Sequence, residues 1–151
     1  ELIRESVETF RLQGEEGGSE IIFEDLAEGK LSVLGDRDAL EQIVLNLLSN
    51  AEKYGGEEIR IRLSGSRPGF AAITVEDRGP GVPRGLREKI FEKFYRIDDS
   101  IHAGVEGSGI GLALSRQLAE THEGSIRCEA RPGGGSRFVV ELPLHEVHEQ
   151  E

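Results

Sequence analysis

The stretch Asp36-Arg37-Asp38-Ala39-Leu40-Glu41-Gln42-Ile43-Val44-Leu45-Asn46-Leu47-Leu48-Ser49-Asn50-Ala51-Glu52-Lys53-Tyr54-Gly55-Gly56 decides most of the architecture when read with residues 58–77 that follow it. Leu40, Ile43, Val44, Leu47, Leu48 and Ala51 recur at helical spacing and make one wide apolar stripe. Asp36 or Asp38 can cap the start, and Gly55-Gly56 stops the helix near Tyr54. The period then changes. Ile59 and Ile61 alternate with Arg60 and Arg62, Gly65-Ser66-Arg67-Pro68-Gly69 makes a turn, and Phe70–Asp77 climbs back. A secure helix followed by an antiparallel hairpin predicts a helix layer lying on a sheet.

Working outward, residues 2–12 carry Leu2, Ile3, Val7, Phe10 and Leu12 near helical spacing, and residues 1–14 are expected to form the first helix. Ile21-Ile22-Phe23 and Leu31–Leu34 read as two short strands, expected to pair across Glu28-Gly29-Lys30. After Asp77 come a loop with Gly79, Pro80, Gly81 and Pro83 and a short helix around Leu86–Phe91. Residues 95–108 show no periodicity. Ile110–Glu123 is helical, with Leu112, Ala113, Leu118 and Ala119 inward. Ser125–Ala130 and Ser136–Leu142 form a final strand pair around Pro132-Gly133-Gly134-Gly135, and 145–151 is a polar tail. Helices lie between strand pairs, which predicts a two-layer α/β sandwich with a mixed, mostly antiparallel sheet on three main helices. A doubly wound nucleotide fold is disfavoured.

Composition narrows function further. The 151 residues hold 18 Lys+Arg against 29 Asp+Glu, a net charge of -11, so unaided nucleic-acid binding is not expected. One cysteine, Cys128, offers neither a disulfide nor a zinc cluster, and it reads as a packing residue. No apolar run approaches the ~20 residues that cross a bilayer, and none reads as a signal peptide. With no Met in the chain, a segment of a longer protein is the expected reading.

Glycine is 20 of 151 residues, and two glycine groups flank functional-looking positions. Gly107-Ser108-Gly109-Ile110-Gly111 runs directly into the helix containing Leu112, which places unpaired N–H groups and a positive helix end where a phosphate would sit. The same run also reads as a flexible loop with an N-cap. It is neither a Walker A loop, lacking Gly-Lys-Ser/Thr, nor a dinucleotide fingerprint. Asp77 ends an apolar strand just before Gly79 and Gly81; its carboxylate can form a turn, or accept from an amino group such as adenine N6. Asn46 and Asn50 share one helix face, and an Asn oxygen is a reasonable ligand for Mg²⁺ beside phosphates. A structural use of the pair, such as capping a neighbouring loop, is the other reading. Lys53 and Tyr54 at the helix end can reach a phosphate and a base.

In combination these residues resemble the ATP-binding catalytic domain of sensor histidine kinases, in the superfamily of DNA gyrase, MutL and the 90 kDa heat-shock chaperone. Asn46–Tyr54 is similar to the N box, Asp77-Arg78-Gly79-Pro80-Gly81 to the first glycine box, and Phe91–Arg96 to the F box. Gly107–Leu112 is similar to the second glycine box, and Gly133–Phe138 with Leu142-Pro143 to the terminal strand motif. The resemblance implies a Bergerat-type fold over nearly the whole chain as one domain, with residues 95–108 as an ATP lid. It implies ATP and Mg²⁺ as cofactors, Asn50 on the metal, and Asn46, Lys53 and Arg96 near the phosphates. Tyr54 would lie on adenine, Asp77 would read N6, Gly79 and Gly81 would admit the base, and Gly107, Gly109, Ile110, Gly111 and Leu112 would line the phosphate side.

Hydrolase members of the superfamily place a glutamate general base four residues before the metal-binding Asn. Here that position is Asn46, which cannot take a proton from water. The resemblance therefore implies a phosphoryl donor, with the acceptor His on a separate dimerisation domain and a response regulator downstream. It implies a cytoplasmic domain of a parent that can be an inner-membrane sensor. Two other readings are an anti-sigma-factor-type serine protein kinase and a non-catalytic nucleotide-binding or docking module. Two departures from the family pattern stand out: Gly55 where Thr or Ser is usual, and His122-Glu123-Gly124 in place of His-Gly-Gly.

Overall fold

The computed structural model describes residues 2–13, 20–27, 32–33, 35–55, 58–93 and 111–145. Its elements run α1 (Leu2–Gln13), β1 (Glu20–Asp25), α2 (Arg37–Gly55), β2 (Glu58–Gly65), β3 (Phe70–Asp77), two 3₁₀ turns at Arg84–Leu86 and Lys89–Phe91, α3 (Gly111–Thr121), β4 (Ser125–Ala130) and β5 (Ser136–Pro143). One five-stranded sheet has the order β1-β2-β3-β5-β4, with only the β1–β2 pair parallel. The helices cover one face. The expected two-layer sandwich is therefore the observed architecture.

Alternation sorts the strands into an inner and an outer face. Ile59, Ile61, Ile73, Val75, Ile126, Cys128, Phe138, Val140 and Leu142 point inward and share a core with Ile3 and Val7 of α1 and the whole α2 stripe. Leu40, Ile43, Val44, Leu47, Leu48 and Ala51 are all buried. Burying five such aliphatic side chains contributes on the order of 10 kcal/mol before entropy is subtracted, so packing rather than propensity holds α2 in place. Asp36 caps it: its Oδ1 accepts from the Asp38 N–H at 2.9 Å and its carbonyl from Leu40 N–H at 3.0 Å.

The outer face is built from ion pairs. Arg60 and Arg62 of β2 meet Glu24 of β1 at 2.8 and 3.1 Å, Arg62 and Arg137 meet Glu76, and Arg127 bridges Glu129 and Glu141. Ala72 and Val139 also point to this face and are nevertheless buried.

Two expectations are corrected. Among the described residues β1 does not pair with 32–33 as a hairpin; it pairs in parallel with β2, Ile21 opposite Ile59 and Phe23 opposite Ile61. Ile21 and Phe23 can then join the helix-covered face, with Arg4 of α1 stacked 5.2 Å over the Phe23 ring. Val33 instead bridges Leu144, and His145 donates its N–H to the Ser32 carbonyl at 2.7 Å, so the chain after β1 closes against the end of β5. The expected helix at 86–91 is two short 3₁₀ turns, anchored by Ile90 and Phe91 in the core.

Candidate functional site

Register places Asp77 opposite Ile59, so the alternation that buries Ile73 and Val75 also turns Asp77 toward the helix layer, at the strand's last position. It is 3% exposed. Its Oδ1 accepts from the Gly79 N–H at 2.9 Å and the Ser136 N–H at 3.4 Å. Both bonds converge on one oxygen, Oδ1, and neither uses Oδ2. Burial pushes the carboxyl pKa above its ordinary value, opposed by those two N–H groups and by the charge of Arg131.

The turn between β4 and β5 forms the wall of this corner. Gly135 sits at φ +106°, and a Cβ there would lie 2.0 Å from the Asp77 carbonyl oxygen, so only glycine fits. Gly81, at φ +80°, faces the Gly135 carbonyl. The two loops interlock beside the carboxylate, and a buried, fixed carboxylate of this kind is chemically able to accept a hydrogen bond from an amino group.

The second part of the site lies where α2 meets α3. Gln42 Nε2 donates to Asn46 Oδ1 at 2.7 Å, while Asn46 Nδ2 donates to the Gly111 carbonyl at 3.3 Å and to the fully buried Ser115 Oγ at 3.2 Å. The structural use left open for the Asn pair is thus realised by Asn46, which ties α2 to the first turn of α3. Asn50 follows one turn later on the same face, half-buried, and Lys53 is exposed at the helix end. Leu112 packs against the core. A Cβ on Gly111 would meet nothing within 4 Å among the described residues, so neither crowding there nor a positive φ accounts for glycine at this position.

Arg96, Gly107, Gly109 and Ile110, the lid 95–108, the Tyr54 side chain and the tail beyond His145 lie outside the described residues. Before that segment, Phe91 packs edge-on against Phe138 with centroids 6.1 Å apart, and Arg116 of α3 stacks 5.1 Å over the Phe91 ring. The described residues contain no group of three or more His, Cys, Asp or Glu able to cage a metal. A neutral amide on a rigid helix, such as that of Asn50, is a donor that fits Mg²⁺, which takes few protein ligands and keeps water and phosphate as the rest.

Sequence reading missed the roles of Gly135, which lets the turn close on the Asp77 main-chain carbonyl, and of Ser136, whose N–H holds the Asp77 carboxylate across 59 residues of chain. The triple glycine at 133–135 was the available signal. Cys128 is buried in the core between the sheet and the helices, with its thiol pushed up to about 11 by burial, in keeping with a packing role.

Residues 35–146 match the profile of the family described as histidine kinase-, DNA gyrase B-, and HSP90-like ATPase. The sensor histidine kinase TmoS of Ectopseudomonas mendocina is 45% identical over 112 residues, which is 73% of this chain and 12% of TmoS. The mycobacterial sensor histidine kinase MprB superposes with a TM-score of 0.78 at 32% identity, covering 97% of this chain and 94% of that structure. Full-length ShkA, solved in complex with AMPPNP, gives 0.81 at 29% identity, covering 97% of this chain and 30% of ShkA. The chain spans only a minor part of these full-length relatives. On motif order, sheet topology and these matches together, it belongs to the histidine kinase-, DNA gyrase B- and HSP90-like ATPase family, in the form found in sensor histidine kinases.

Proposed function

We propose that this chain binds ATP with Mg²⁺ and, within a two-component sensor kinase, donates the γ-phosphoryl group to a histidine on a separate dimerisation domain, from which a response regulator takes it. The observation that carries the reading is the Asp77 corner: a buried carboxylate with one oxygen held by the Gly79 and Ser136 N–H groups, where the glycines of two loops let their backbones close on one another. The AMPPNP bound to ShkA supports the same ligand here.

In this reading Asp77 accepts from the adenine amino group, Gly79 and Gly81 admit the ring, and Tyr54 lies against it. Asn50 holds Mg²⁺, which when bound neutralises the phosphate oxygens. Lys53 and Arg96 add positive charge there, and Gly107, Gly109, Ile110, Gly111 and Leu112 form the phosphate wall with N–H groups at the start of α3. Asn46 bonds to α3 and has no basic oxygen, so water near the γ-phosphate is not activated by it. Catalysis is then placement and charge neutralisation, with an incoming imidazole nitrogen as nucleophile.

The test is transfer from γ-labelled ATP by this chain, alone and with the parent's helical dimerisation domain. Acid-labile phosphohistidine appearing only in the mixture is the expected result. Phosphoserine on a partner protein would instead favour the anti-sigma-factor type, and no nucleotide binding would leave a docking module.

A further inference from the structure

Helix α3 spans eleven residues, about 16 Å at 1.5 Å per residue. Only Ser115 and Ala119 of it are fully buried, and both are small. Small side chains let helix backbones approach but supply few knobs against sliding along the axis. Leu112 and Leu118 contribute only partly buried contacts. The register of α3 on α2 is marked instead by polar bonds at its two ends.

At the start of α3, Asn46 bonds to the Gly111 carbonyl and Ser115 Oγ. At the far end, just past Thr121, His122 Nε2 lies 3.1 Å from the Asp36 N–H, and Nδ1 lies 2.7 Å from the Leu118 carbonyl. A backbone N–H can only donate and a carbonyl only accept, so Nδ1 carries the proton and Nε2 is the acceptor. The ring rests on the bare Cα of Gly35, where a Cβ would lie 2.3 Å from Cδ2. The two helices therefore run antiparallel, pinned where α2 begins and again at its middle.

We propose that His122 is a positioning residue for the phosphate end of the nucleotide site: by bonding Asp36, the residue that caps α2, it fixes the axial register of α3, and so the place of the N–H groups at the helix start. The inference rests on the ATP reading given above. Asp77 sits on β3 and is held by Gly79 and Ser136, so the adenine end does not depend on this pin. A register fault should thus be felt by phosphates and not by the base.

The experiment is NMR titration of the chain and of His122→Ala and His122→Gln with Mg²⁺–AMPPNP and, separately, with adenosine, alongside thermal midpoints. A glutamine Oε1 can take the place of Nε2 and accept from the Asp36 N–H. His122→Ala is expected to weaken AMPPNP about tenfold while changing adenosine by less than about twofold, because the loss of one hydrogen bond to a charged phosphate oxygen carries about that penalty. His122→Gln should recover most of the loss. If His122→Ala does not fold, His122→Asn keeps a donor toward Leu118 and removes only the Asp36 bond. Equal weakening of both ligands, a lowered midpoint with unchanged affinities, or a glutamine that restores the midpoint but not AMPPNP binding would each overturn the proposal. Wild-type chain that binds neither ligand would overturn the ATP reading itself.

Discussion

Replacing Asp77 by Asn separates recognition from stability. Asn retains an Oδ1 that can accept from the Gly79 and Ser136 N–H groups, so the corner stays closed. What changes is the second oxygen, which becomes an NH₂ that would oppose the amino group of the proposed adenine, donor against donor. Loss of a hydrogen bond to a charged acceptor costs about 1.5–3 kcal/mol, which is about 10- to 150-fold in affinity. Stability should move the other way. Burial raises the Asp77 pKa, so the folded chain holds this proton at higher pH than the unfolded chain does. Its favourable contribution is present below the unfolded value and is lost as pH rises through the folded value, so at neutral pH the buried charge opposes folding. Asp77→Asn removes that opposition, and its thermal midpoint at pH 7 should equal or exceed that of the parent chain. Titration calorimetry with AMPPNP and thermal denaturation read the two effects. Unchanged affinity would refute the adenine role, and a midpoint that collapses with the affinity would show that the charge itself holds the corner together.

Other substitutions probe the same logic. Gly135→Ala drives a Cβ into the Asp77 carbonyl at φ +106°, and should cost at least about 2–3 kcal/mol, seen as a midpoint lower by about 5–10 °C. Gly111→Ala meets open space among the described residues, so the midpoint should hold or rise while AMPPNP affinity falls. Glu123 stands at φ +61° in a Schellman turn, where Gly124 N–H reaches the Ala119 carbonyl at 2.8 Å and Glu123 N–H the Glu120 carbonyl at 3.0 Å. Glu123→Gly should therefore stabilise by about 1 kcal/mol, and unchanged melting would contradict the strain. Glu141, hydrogen-bonded by Arg127 and Ser66, has its pKa held below the usual 4.5. Its contribution is present above that value and lost as pH falls through the lowered one; Glu141→Gln should melt lower at neutral pH and show a shallower loss on acidification.

Local periodicity made the helix-and-hairpin frame legible. The stripe from Leu40 to Ala51, the turn at 65–69 and the glycines at 133–135 each carry their own signal, and α2, the β2–β3 hairpin and the β4–β5 pair lie where those signals place them. The partner of β1 was not legible. A parallel pair 38 residues apart, as Ile21 with Ile59, leaves no turn signature, whereas the nearby 31–34 segment offered a plausible but wrong neighbour. Asp77 could be singled out because it ends an apolar strand beside glycines. The Ser136 bond and the His122 pin could not, since each joins residues whose proximity only the folded sheet and helix layer create. The departure at Glu123 was visible in sequence, but its cost appears only with the left-handed φ.

The central claim is a magnesium-dependent ATP site on this chain. Calorimetric titration with AMPPNP, in the presence of Mg²⁺ and again with the metal chelated, tests it most directly. The expected result is saturable binding with one ligand per chain that strengthens with Mg²⁺. No heat of binding at millimolar AMPPNP, in a chain shown by melting to be folded, would contradict it.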